Sequence, residues 1–168
     1  AVAAPTCSAL PPPGADLAGA SVQQLTLAPG RIWSTTTGAG VTVAVVDTGV
    51  DTANPQLAPA VSGGVDLIAG PPDGTLDCAA HGTAAASVIA ARATGGTRFA
   101  GLAPGARILP VRLTEQAGGE AGAGVDPALL AAAIRRATDA GAGIVNVSVL
   151  AAAGTPELAA AVRHAQDH

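Results

Sequence analysis

Two short stretches hold residue types that could do chemistry together. VAVVDTGVD, residues 43 to 51, ends an apolar run on Asp47, and CAAHGTAAA, residues 78 to 86, opens an alanine-rich run on His81. Singly, each is ordinary, since an acid after a strand often only turns the chain or caps a helix. As a pair they meet the needs of general-base catalysis: an imidazole that takes a proton needs a carboxylate to fix its tautomer and stabilise the imidazolium. Gly82 directly follows His81 and leaves a position that substrate can approach. Such a pair acts on a third group, a nucleophile whose proton the histidine removes.

The elements that must position them follow from local pattern. VTVAVV at 41–46 is β-branched and almost wholly apolar, which suits a strand buried on both faces of a parallel sheet, with Asp47 at its C-terminal end. Further strands are predicted over 64–69, 107–113 and 144–149. The run HGTAAASVIAARA predicts a helix rich in small residues that pack close to a sheet. In DPALLAAAIRRATDAG, Asp126 is the N-cap, Pro127 the first helical residue and Gly141 the stop, with Leu130, Ala133, Ile134 and Ala137 on one apolar face. Thr155 and Pro156 open a last helix that stops uncapped at His168, so the polypeptide reads as a piece of a longer domain. Strands alternating with helices predict an α/β fold with a right-handed, doubly wound parallel sheet. Ligands of such sheets bind beyond the carboxyl ends of the strands, where Asp47 stands. Residues 1–38, with PPP at 11–13 and no sustained period, read as an extended arm with at most a short helix over 22–27.

Bulk properties narrow the function classes. A chain of 168 residues can bury about two thirds of its unfolded surface as one domain. Its apolar content is mainly alanine and valine, with Phe99 and Trp33 the only aromatic residues. A net charge of -4, with scattered arginines and no basic face, argues against nucleic acid as a partner. Mean hydropathy is +0.43, yet no apolar stretch nears the roughly 18 to 20 residues of a spanning helix. The first residues, AVAAPTC, show no signal peptide, as a processed chain also would not. Cys7 and Cys78 are read either as two small buried residues or as one disulfide tying the arm to the loop before His81. The disulfide is the preferred reading and implies an exported, oxidising location.

Several long segments, in order, resemble the subtilisin-like serine proteases, the subtilases. These are GVTVAVVDTGVD around the acid, AAHGTAAASVIAA around the histidine, the link FAGLAPGARILPVRL, and AIRRATDAGAGIVNVSV. An N-terminal extension with a cysteine before RIWSTTTGAGV, and a second cysteine just before the histidine, look most like the mycosins, membrane-anchored proteases of actinobacterial type VII secretion. The resemblance implies residues 1–38 as an extension wrapping the body and 39–168 as the N-terminal portion of a subtilisin-like peptidase domain. It implies Asp47 and His81 as catalytic acid and base, Ser148 and Val149 at the substrate pocket, and the loop with Gly118 and Gly119 on the substrate's other side. It further implies a polypeptide substrate, a secretion-system membrane complex as partner and no cofactor.

Where the family follows the pocket serine with leucine and glycine, this chain has Ser148, Val149, Leu150 and three alanines. The family's nucleophilic serine stands in a Gly-Thr-Ser context that none of Ser8, Ser21, Ser34, Ser62, Ser87 and Ser148 shares. The remainder of the domain is therefore expected to carry it, and these residues alone are expected to be inactive. Two other functions compete: a pseudoprotease or structural subunit that keeps a peptide groove, and a nucleotide-binding domain. The latter ranks far below, since no Gly-x-Gly-x-x-Gly follows the first strand. Asp51 is read as capping a turn before Asn54, Asp77 as a surface loop residue, and His164 with His168 as a solvated helix face rather than a metal site.

Overall fold

The structure, a computed structural model, describes residues 7, 19–20, 22–68, 72–116 and 124–168. The β-branched run forms strand β1 (Thr42–Asp47), buried at every residue after Thr42. It pairs in parallel with β3 (Arg107–Arg112) on one side and β4 (Ile144–Val147) on the other, and β3 pairs in parallel with the short β2 (Val65–Asp66). The order among described strands is β2-β3-β1-β4. Crossovers between strands run through helices α2 (His81–Ala90) and α3 (Pro127–Asp139), the βαβ arrangement that the alternation predicts, and helix α4 (Pro156–Asp167) follows β4.

The strand period of two divides the core into two layers. Val43, Val45 and Ile108 face α2, whose Ala86 and Ala90 are fully buried and let the helix lie close. Ala44, Val46, Leu109 and Val111 face α3, meeting Leu130, Ala133, Ile134 and Ala137 on the apolar face read from sequence. Asp47 continues the odd-numbered series and thus turns toward the α2 layer.

Helix starts follow their caps: Asp126 accepts from Ala128 N at 2.9 Å and Thr155 from Leu158 N at 3.1 Å. The two edge strands are shorter than the sequence pattern suggests. β2 is two residues rather than the span 64–69, since Gly63 and Gly64 enter at φ 67° and 147° and the strand lies at the sheet's edge. β4 ends at Val147 rather than Val149 and forms the other edge, with Ile144 53% and Val147 40% exposed. β3 ends at Arg112, whose buried guanidinium pairs with Asp66 Oδ2 and Glu115 Oε1, each at 2.7 Å, and so ties β2 to the end of β3.

A short helix α1 (Val22–Leu27) precedes the sheet. It and the following turn rest on the segment before β3: Gln24 Nε2 donates to Ala100 O and Trp33 Nε1 to Leu102 O, both at 3.0 Å. Cys7 and Cys78 are joined as a disulfide, fastening Cys7 to the loop that leads into α2. No helix among the described residues is long and apolar enough to cross a membrane.

Candidate active site

The acid and the histidine meet where β1 ends and α2 begins. Asp47 is 0% exposed; its Oδ1 accepts from Thr48 N at 2.7 Å and lies 2.8 Å from His81 Nδ1. Its Oδ2 is buried with no hydrogen-bond partner among the described residues. An ionised carboxylate only accepts, so Nδ1 of the ring carries the proton and Nε2 keeps a lone pair. The His81 side chain is 37% exposed, so the ring is reachable from solvent. A buried carboxylate behind a half-exposed imidazole is the arrangement a general base requires.

Three local features bring the pair together. Parity turns Asp47 toward the α2 layer, as above. Gly82 is buried, and a methyl group built on it would lie 2.1 Å from Gly49 O and 3.0 Å from Asp47 Cβ. Its role is thus close approach of the two backbones, rather than the substrate access that the sequence suggests. The third is a network centred on Asp77. The sequence reading makes this a surface loop residue; the structure buries it to 2%. Its carboxylate reaches Thr48 on the loop after β1 and Thr83 in the first turn of α2. Nothing local to residue 77 signals this, because the partners lie 29 residues before it and 6 after it in the chain.

The remaining candidates fall around this centre. Ser148 lies just past the end of β4, one step beyond the Val46–Val147 pair and so beside Asp47 in register, and its Oγ accepts from Asn146 Nδ2 at 2.7 Å. Val149 is 8% exposed and packs in the α3 layer. Gly118 and Gly119 lie outside the described residues. Asp51 turns the chain as read, accepting from Ala53 N at 2.8 Å. His164 Nε2 sits 3.2 Å from Asp139 Oδ1, and no cluster that could hold a metal ion occurs among the described residues.

Comparison with known proteins identifies the family of the chain. The Subtilase family model matches residues 38–168. Mycosin-1 of Mycobacterium tuberculosis is 43% identical over 124 residues, covering 67% of this chain and 27% of that protein. The crystal structure of MycP1 from Mycobacterium smegmatis superposes with a TM-score of 0.74 at 29% identity, covering 96% of this chain and 46% of that one. A chain in the periplasmic assembly of the ESX-5 inner membrane complex gives a TM-score of 0.67 at 29% identity, covering 98% of this chain and 53% of that one. The chain thus spans about a third or less of the mycosins it matches and about half of the solved chains. With the family model covering all but the first 37 residues, and with this fold, the chain belongs to the subtilase family and is similar within it to the mycosins.

Proposed function

We propose that this chain supplies the acid and base of a subtilisin-type serine endopeptidase. The observation that carries the reading is the 2.8 Å contact of Asp47 Oδ1 with His81 Nδ1, which leaves the outer nitrogen of a half-exposed ring as the base. Asp47 fixes the tautomer and offsets the charge of the imidazolium. His81 takes the proton of a serine hydroxyl as that oxygen attacks the peptide carbonyl, then returns it to the leaving amine. The serine comes from outside these residues. The Ser87 hydroxyl, for one, is committed to Thr83 O within α2 at 2.8 Å.

Residues 39–168 form the N-terminal portion of the peptidase domain, and residues 1–38 an extension held to it through Cys7 and Cys78. The polypeptide substrate runs in extended form past Ser148 and Val149. Similarity to MycP proteases and to a chain of the ESX-5 periplasmic assembly supports a place at the cell envelope, beside a type VII secretion complex.

A fluorophosphonate probe tests the reading, applied to this 168-residue chain and to the product of the complete reading frame that contains it. The chain alone is expected to stay unlabelled, and the complete product to be labelled on a serine and to cleave peptides. Labelling of the chain alone would place the nucleophile within it. A complete product that neither labels nor cleaves would overturn the reading in favour of an inactive peptide-binding subunit.

A further inference from the structure

We infer that Asp77 is a positioning residue for the acid and base: a second buried carboxylate that meets no reacting atom yet holds His81 against Asp47. The inference deepens the proposed function and rests on its assignment of those two residues.

Asp77 accepts five hydrogen bonds. Oδ1 takes Thr48 Oγ1 at 2.7 Å, Ala80 N at 2.9 Å and Ala79 N at 3.2 Å; Oδ2 takes Thr83 N at 2.8 Å and Thr83 Oγ1 at 2.5 Å. The two hydroxyls continue outward. Thr48 Oγ1 accepts from Gly82 N at 3.0 Å, and Thr83 Oγ1 accepts from Asp51 N at 2.9 Å. Two hydrogen bonds therefore cross the joint between the loop after β1 and the start of α2, and each is accepted by a threonine hydroxyl whose orientation this one carboxylate fixes. The Asp47 to His81 contact spans the same joint, one residue from Thr48 on one side and from Ala80 and Gly82 on the other.

The residue at the start of α2 supplies no side-chain cap of its own. Ala80 stands at the cap position, cannot bond through its side chain and is held at φ 59°, a left-handed conformation unfavourable for alanine. Asp77 supplies the missing cap from three residues upstream, and its negative charge sits at the positive end of the α2 dipole. Among the described residues it has no cationic partner, so these donors alone compensate its burial.

The geometry also demands an acid rather than an amide. All five partners donate, and each threonine spends its single hydroxyl proton on Asp77. An asparagine would turn its NH2 toward at least two donors whichever way it was flipped.

The test is the far-downfield ring N–H resonance of His81, assigned by selective 15N labelling in the full 168-residue chain, with amide dispersion as the check on folding. Wild type is expected to show the resonance, and Asp77→Asn to lose it while the chain stays folded. Thr48→Val is expected to lose it and Thr48→Ser to keep it, because only the hydroxyl matters. Asp73→Asn, which breaks bonds to Thr75 that do not cross the joint, is expected to keep it. A folded Asp77→Asn chain with the resonance unchanged overturns the inference; if that variant does not fold, an unchanged resonance in Thr48→Val overturns it. A wild-type chain without the resonance overturns the acid–base pairing itself, which separates the two failures.

Discussion

Gly82→Ala probes how closely the start of α2 must approach the end of β1. The added methyl would lie 2.1 Å from Gly49 O, whereas ordinary contact begins near 3.4 Å, so the two backbones must part by roughly 1.3 Å. The obstacle is a main-chain carbonyl and cannot rotate away. Carried across to the neighbouring residues, the same displacement stretches the 2.8 Å Asp47 to His81 contact to about 4.1 Å, past hydrogen-bond reach. Overpacking of this sort costs about 1–3 kcal/mol, and a backbone obstacle puts it at the upper end. For a chain of this size about 3 kcal/mol corresponds to a Tm lowered by roughly 6–12 °C. Thermal melts followed by circular dichroism give the stability, and the His81 ring resonance reports the pair. Gly143→Ala is the control: nothing lies within 4 Å of its added methyl, and it is expected to stay within about 0.5 kcal/mol of wild type. A Gly82→Ala chain that melts within about 2 °C of wild type and keeps the resonance would refute the close-approach reasoning.

Three further outcomes follow from the same structure. Ala80→Gly removes the left-handed penalty at φ 59° and is expected to raise stability by up to about 1 kcal/mol in urea titration, the glycine's extra unfolded-state entropy offsetting part of the gain. Reducing the Cys7–Cys78 bond opens a loop of 71 residues; chain entropy sets the loss at about 4 kcal/mol, read as a lower urea midpoint in reductant, with an unchanged midpoint contradicting it. Arg112→Ala leaves the Asp66 carboxylate buried without its guanidinium and is expected to cost about 3–5 kcal/mol, while a loss under about 1 kcal/mol would show that β2 is not held by this pair.

The path from Asp47 to His81 was readable in the sequence because each step is local. A β-branched run makes a buried strand, its period of two turns residue 47 to the face of Val43 and Val45, and a small-residue helix packs on that face. The helix over 127–139 was readable from its caps and apolar spacing, and the one over 156–167 from Thr155 and Pro156 at its start. What the sequence hid is long-range. Asp77 looks like any loop acid until Thr48 and Thr83 close around it, and Arg112 looks like a strand-end charge until Asp66, 46 residues earlier, is seen beside it. Glycine at 82 was visible, but its reason was not, since the crowding carbonyl belongs to Gly49 on another element. Strand ends were overestimated at both sheet edges, where apolar runs continue past the last paired residue.

The most direct test of the central claim is peptide hydrolysis by the complete reading-frame product, wild type against Asp47→Asn at equal folded concentration. Asparagine keeps the shape but turns the wrong hydrogen-bonding groups toward His81, so kcat is expected to fall on the order of 10,000-fold with KM little changed. A variant retaining activity within about tenfold of wild type would mean that Asp47 does not hold the base, whatever the 2.8 Å contact suggests.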